Sequence, residues 1–394
     1  MHDPLLDRPP VTAARFAELE DRLATLLGTT ASVVLLQAEA TLGLEAAARG
    51  IASPGTTVLN VVSGPYGGMF GAWLRTAGAV VLELPVAFDG ALAPEQLDHA
   101  LNDRPDVAVV SLVHAEAATG NKNPLAALAE VTRRHGVLLV VDAVASVGAE
   151  PLSIDAWGID LCIVGPQKAL AGPSGVAAVT VSERAWHWME SNPHAPRRSA
   201  LSLLDWKHQW IDGGRTTLPV IPATLEVLAL EAAVQRISLE GLESTVARHR
   251  AAATAVRAGV RALGLEPWVD RDDDAAHVVT TVHTPMQRSA ADVLRLGDPW
   301  RPPLISLGMG PLAEKLVRVN HTGIRAQPMV ATDSLEDLFA IALGRRPRAG
   351  AEARRLVVAQ RLALDLWDQA LDDHRNDRAP GTAPANASAC HAAH

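Results

Sequence analysis

A chain of 394 residues, 48% of them hydrophobic, is long enough for two domains with buried cores. Its net charge of −9, with no basic run, argues against nucleic acid, and no apolar run reaches the ~18–20 residues that span a bilayer. Two cysteines, Cys162 and Cys390, make no disulfide framework, and Met1–Pro10 lacks the blocks of a signal peptide, so a reducing cytoplasm is expected.

Residues 1–30 read as a Pro-rich arm and an amphipathic helix with Phe16, Leu19, Leu23, Leu26 and Leu27 on one face. Ser32–Gln37 reads as a strand, and Ala38–Gly43 turns into a helix over Leu44–Arg49. Thr57–Val62 is the next strand; it runs into Ser63-Gly64-Pro65-Tyr66-Gly67-Gly68, which holds the chain's only tyrosine. Gly78–Leu84 gives a strand, Pro94–Leu101 a helix, and Val107–Val113 a strand that ends in His114–Gly120. Asn123-Pro124 opens a helix to His135.

The apolar, β-branched run Val137–Val141 is long enough for a buried strand and ends on Asp142. Asp160–Val164 is a second such run, and it ends in Gly165-Pro166-Gln167-Lys168. A strand over Gly175–Val181 and a helix from Ser182 follow, then a polar loop, Asp212–Ile221, and helices over Thr224–Gly241 and Leu242–Leu263. The rest reads as a strand at His277–Val282, an edge strand at Leu304–Gly308, the segment Lys315–Gly323, and helices at Ser334–Leu343 and Ala351–His374. Residues 375–394 are Ala/Pro-rich without periodicity, and a disordered tail is expected there. The tail histidines have no metal-site spacing, so no metal is expected.

Strand–helix alternation with short loops implies an α/β fold with a mostly parallel sheet. Ligands bind outside the C-terminal ends of such strands. Tyr66, Thr119, Asp142 and Lys168 all fall at or just after expected strand ends. Only four of the 35 basic residues are lysines (Lys122, Lys168, Lys207, Lys315), so a lysine in a Gly-Pro turn suggests work that arginine cannot do. A primary amine can lose its proton and attack a carbonyl; a guanidinium cannot. Asp142, 26 positions earlier, supplies a carboxylate one crossover away. Together they suggest pyridoxal 5'-phosphate, with the amine on its aldehyde and the carboxylate on its pyridine nitrogen.

The words DAVASVG (residues 142–148) and GPQKALAGPSG (165–175) resemble the class V aminotransferase family of fold type I pyridoxal phosphate enzymes. The likeness is strongest to the alanine–glyoxylate and pyridoxamine–pyruvate branch and runs, with interruptions, from about Leu35 to about Pro328. It implies a seven-stranded, mostly parallel sheet in a large domain (31–240), after the N-terminal arm and helix (1–30). A smaller α+β C-terminal domain (241–374) and the tail (375–394) follow. It implies a homodimer acting on an amino-acid-like substrate.

By that resemblance Tyr66 stacks on one face of the cofactor ring and Val144 packs on the other. Ala40, Thr41 and Leu42 hold its phosphate at a helix N-terminus, and Thr119 and Gln167 belong to the cofactor set. Thr217, with Arg215, would reach the neighbouring subunit's phosphate. Glu39 could face a substrate amine or simply cap its helix. Arg318 grips the substrate carboxylate. Met309 stands where the pyridoxamine–pyruvate branch has a second arginine.

Three features depart from the family pattern. No Gly-Pro entry segment precedes the first helix, Ala117 replaces a hydroxyl residue, and Met309 replaces the arginine. All three trade polar or bulky elements for space, which points to a substrate larger or less polar than alanine or pyruvate. The expected activity is amino transfer to an oxo acid. Elimination or decarboxylating deamination of a cysteine S-conjugate, as in family members of lincosamide-type antibiotic pathways, is the alternative. A non-catalytic regulator is the reading from another class; such proteins usually carry an added DNA-binding module, which this chain lacks.

Overall fold

In the computed structural model, Arg8, residues 10–285 and residues 304–377 are described. The expected tail from residue 378 onward lies outside them. Helix α1 (Ala13–Leu27) is capped by Thr12, whose hydroxyl accepts the Arg15 N–H at 3.3 Å, and it ends on Gly28 in the left-handed region. It buries Phe16, Leu19, Leu23 and Leu27 against the main core.

The chain then alternates. Strand β1 (Ser32–Leu36) leads to α2 (Ala40–Ile51), and β2 (Thr57–Val62) to α3 (Pro65–Thr76). β3 (Val80–Pro85) leads to α4 (Pro94–Asp103), and β4 (Val107–Val113) to α5 (Leu125–His135). β5 (Leu138–Asp142) is followed by the single turn α6 (Ile154–Trp157), then β6 (Leu161–Val164) and β7 (Ala177–Val181). These make one seven-stranded sheet in the order β1-β7-β6-β5-β4-β2-β3. β7 alone runs against its neighbours. The segment between β6 and β7 contains no crossover helix, and without one a chain can return to an adjacent position only antiparallel.

β5 lies in the middle of the sheet, and all five of its residues are buried. Its last residue, Asp142, pairs in register with Val113 of β4 and Ile163 of β6. The carboxylate is therefore delivered to the centre of the sheet's C-terminal edge.

After β7 come α7 (Glu183–Ser191), the turn α8 (Leu203–Trp206) and α9 (Thr224–Glu240), whose Val227, Leu230, Val234 and Ile237 still belong to the main core. Beyond Gly241, α10 (Leu242–Ala262) begins a second apolar cluster. That cluster lies among α10, α11 (Pro328–Leu343), α12 (Ala351–Asp377) and a three-stranded antiparallel sheet. The sheet has the order β8 (Thr280–His283), β10 (Leu316–Val319), β9 (Ile305–Leu307).

Several element boundaries differ from expectation, the start of α2 at Ala40 and not Leu44 among them. The strand expected at His277–Val282 starts at Thr280, because the backbone before it is used elsewhere. The His277 N–H donates to the buried Glu150 at 2.6 Å, and the Ala276 N–H donates to the Gly120 carbonyl at 2.8 Å. The helix expected from Ser334 begins six residues earlier, with Pro328 at its first position, where a missing N–H costs nothing. α12 continues past His374 to Asp377.

Candidate active site

A cavity of about 230 Å³ opens at the C-terminal ends of β4, β5 and β6. Asp142 and Lys168 both line it, as do Tyr66, Val144, Glu39, Ala40, Thr41 and Gln167. Each arrives from a different strand end. Tyr66 follows β2 on the first turn of α3, Asp142 closes β5, and Lys168 stands four residues past β6.

Asp142 is 7% exposed, and its Oδ1 accepts the Val144 N–H at 2.9 Å. Burial pushes its pKa up to about 6, against the pull of that N–H and of Lys168. Burial lowers the Lys168 ammonium, and the nearby Arg318 lowers it further. A lysine so placed gives up its proton more readily than one in water. Tyr66 is raised, first by its own burial and then by Glu116 and Asp142.

Gly165 makes room at one wall. A Cβ there would lie 2.5 Å from Val144 Cγ1, 2.6 Å from Gln167 Oε1 and 3.1 Å from Ala40 Cβ. Gln167 Oε1 is buried without a hydrogen-bond partner among the described residues. An amine, a buried carboxylate, an aromatic ring and an unpaired amide oxygen around a shaped hollow suit a flat, polar-edged cofactor. The residues fit pyridoxal 5'-phosphate.

Glu39 has a second role, and several other expected residues stand elsewhere. Glu39 is the N-cap of α2: its Oε2 accepts the Thr41 N–H at 2.8 Å, and its Oε1 accepts Gln167 Nε2 at 2.8 Å. It takes the capping role while still lining the cavity. Leu42 departs from expectation. Its N–H donates to the Glu39 carbonyl at 2.9 Å, and its side chain lines a separate surface hollow with Arg198 and Trp206.

Thr119 also departs. It is fully buried, its hydroxyl donates to Asn121 Oδ1 at 2.7 Å, and its carbonyl accepts Thr281 Oγ1 at 2.7 Å. The tight turn closed by Gly120, at φ 77, turns it toward β8 and away from the cavity lining. Met309 is half-buried at the head of a short turn and does not line the cavity. Arg318, on β10, donates from Nε to the Leu307 carbonyl at 3.0 Å and from Nη1 to the Ala117 carbonyl at 3.4 Å. Arg318 does not itself line the cavity, but it stands close enough for its charge to act on both Lys168 and Tyr66.

Arg215 is the clearest correction. Its guanidinium is held within its own chain by α1, accepting partners being Glu20 Oε2 at 2.8 Å, Asp21 Oδ1 at 2.7 Å and the Ala17 carbonyl at 2.9 Å. Glu20 is 2% exposed and also accepts Trp210 Nε1 at 2.9 Å. Burial raises Glu20 to about 7, although Trp210 and Arg215 both oppose this. Arg215 thus satisfies a buried carboxylate and is not free for a phosphate. Arg215→Ala should cost about 1–3 kcal/mol, the penalty for stranding a buried polar group, read as a lower urea midpoint. Thr217 is exposed two residues further on, outside the cavity of its own chain.

Two residues escaped the sequence reading. Ser174 adds a hydroxyl to the cavity wall, inside the word GPQKALAGPSG. Glu116 is 1% exposed against the first turn of α3, and burial pushes it up to about 8. A glutamate in a loop reads as solvated; its place next to a strand end was the signal. Among the described residues no group of three or more His, Cys, Asp or Glu side chains could hold a metal ion.

A lysine and a buried carboxylate meeting in one cavity at the C-terminal edge of a sheet of this topology make the protein a fold type I enzyme that depends on pyridoxal 5'-phosphate. The family model for class-V aminotransferases matches residues 8–296, and the chain belongs to that family. It is 35% identical over 334 residues to pyridoxamine–pyruvate transaminase of Mesorhizobium japonicum, covering 85% of this chain and 84% of that one. It superposes on the crystal structure of pyridoxamine–pyruvate aminotransferase from Mesorhizobium loti with a TM-score of 0.84, at 33% identity and over 91% of each chain. Ureidoglycine–glyoxylate aminotransferase from Bacillus subtilis gives a TM-score of 0.81 at 28% identity, over 93% of this chain and 95% of that one.

Proposed function

We propose that this enzyme takes the amino group from an amino-acid-like substrate and passes it to an oxo acid, in two half-reactions at one cavity. The observation that carries the reading is the convergence of Lys168, Asp142 and Tyr66 on that cavity. Pyridoxal 5'-phosphate, when bound, supplies an electron sink that acidifies the substrate Cα proton. Asp142 would pair with the ring nitrogen and keep it protonated. Tyr66 and Val144 would lie against the ring, and Ala40, Thr41, Gln167 and Ser174, which line the same cavity, would complete its seat. Lys168 Nζ, its proton loosened by burial, accepts the Cα proton and returns it to the product. Ala115, Ala117 and Ala145 form an apolar wall that keeps water off this transfer.

Arg318 holds the substrate carboxylate. Arg318→Ala should raise KM for α-carboxylate substrates by about 10–10²-fold, since hydrogen bonds to charged groups are worth roughly 1.5–3 kcal/mol. Amines that lack the carboxylate should be unaffected, and steady-state kinetics on matched pairs checks this.

The alanine wall supports a substrate larger or less polar than alanine. We also read the protein as a cytoplasmic homodimer, with the Thr217 loop turned toward the neighbouring subunit. The exposed apolar side chains at the end of that loop, Val220 and the 92% exposed Ile221, support a covered surface there. No helix among the described residues is long and apolar enough to cross a membrane.

The test is a panel of amino acids, amines and cysteine S-conjugates, each supplied with oxo acids and followed by mass spectrometry. Amino transfer gives a new amino acid and no free ammonia. Ammonia with a thiol, or carbon dioxide with an aldehyde, would overturn the reading in favour of elimination or decarboxylating deamination.

A further inference from the structure

Helix α3 starts without a cap of its own. Its N-cap residue is Gly64, which has no side chain, and Pro65, Tyr66 and Gly67 follow. The first N–H groups of a helix need acceptors, and a carboxyl group serves well there. Glu116 supplies one from the loop after β4, 49 positions away: its Oε1 accepts the Gly67 N–H at 3.3 Å, and the backbone amide of Tyr66 beside it also favours the charged form of that carboxyl.

The fit is close. A Cβ on Gly64 would lie 2.4 Å from Glu116 Cδ, 2.6 Å from Oε1 and 2.7 Å from Oε2. The Gly64 backbone is extended, at φ −179, so what this position requires is an absent side chain and not a special conformation. Glu116 Oε2 has no hydrogen-bond partner among the described residues. The loop also carries Ala117, whose carbonyl accepts Arg318 Nη1. One short segment thus registers both the ring and the guanidinium of the site.

We propose that Glu116 is a positioning residue, which fixes the Tyr66 ring at the cofactor site by capping the first turn of α3. The inference rests on the reading of Tyr66 as the ring that lies against the cofactor. Asp142, Lys168 and Tyr66 are the ionisable groups whose charges act with Glu116 at this point. Burial, then Asp142, raises the Glu116 pKa to about 8, so the carboxyl carries a proton at neutral pH and still accepts through its carbonyl oxygen. A glutamine can therefore take its place as acceptor; an alanine cannot.

Because Tyr66 is the chain's only tyrosine, 3-fluorotyrosine incorporated in place of tyrosine labels this ring alone. In cofactor-depleted protein the single ¹⁹F resonance should keep its position and width in Glu116→Gln. In Glu116→Ala it should shift or broaden. Turnover of reconstituted Glu116→Ala should fall by up to about 10²-fold with KM little changed, the cost of misplacing a group by about 1 Å.

Gly64→Ala pushes on the same contact from the other side. It should move the resonance as Glu116→Ala does, and the double variant should be no worse than either single one, since the collision is then gone. A wild-type resonance in Gly64→Ala, or in a cooperatively melting Glu116→Ala, would overturn the proposal. So would a Glu116→Gln resonance displaced as far as that of Glu116→Ala. If Glu116→Ala does not fold, Gly64→Ala decides. Adding pyridoxal 5'-phosphate to wild-type protein should itself move the resonance; failure there overturns the reading of Tyr66, while the cofactor-depleted comparison still judges Glu116.

Discussion

Lys168→Ala should lower turnover by at least about 10²–10⁴-fold, the range for losing a positioned acid–base group, while the protein still folds. Folding survives because the amine is a burden on the fold: burial and Arg318 both disfavour its charge. Losing a group that is costly to bury should leave the melting temperature of the cofactor-free protein equal or higher. Lys168→Arg should be as inactive as the alanine variant, because a guanidinium keeps its proton and does not attack carbonyls. Turnover and thermal melting of the two variants check both halves of the prediction. A lysine variant with near-normal turnover would remove Lys168 from the chemistry.

Asp142→Asn should separate stability from activity. The folded pKa of Asp142 is raised from 3.8 to about 6, mainly by burial. A raised carboxyl pKa means that the folded state holds the proton more tightly than the unfolded chain. The associated stability is present below the unfolded pKa and is lost as pH rises through the folded one. The wild-type cofactor-free protein should therefore lose up to about 3 kcal/mol between about pH 4 and pH 7 from this group alone. The asparagine variant should not, and above pH 7 its cofactor-free form should melt higher than wild type. Its turnover should fall, because an amide cannot hold a proton on the ring nitrogen. Melting curves across this pH range, beside turnover at one pH, test the pair. Parallel curves for the two proteins would contradict the burial account.

The parts of the site that could be read from sequence were those whose chemistry is rare where they stand. Lys168 is an uncommon lysine in a Gly-Pro turn, Asp142 ends an apolar strand, and Tyr66 is unique in the chain. The sheet was legible for a similar reason, since buried parallel strands leave continuous β-branched runs such as Val137–Val141. The direction of β7 was not, because it depends on the route of the loop before it and not on any residue within it. Thr119 and Arg215 were misread because a turn hydroxyl or a loop arginine points where its tertiary partners are. Asn121 and Thr281 claim the first, and Glu20 and Asp21 the second. Glu116 stands beside a strand end, but its role depends on burial against Gly64, a contact between residues far apart in the sequence.

Borohydride reduction of the pure protein, followed by digestion and peptide mass spectrometry, tests most directly whether Lys168 carries the cofactor. The expected result is a phosphopyridoxyl mass on the peptide that contains Lys168, and none on Lys122, Lys207 or Lys315. A label on one of those three lysines, or on no lysine at all, would contradict it.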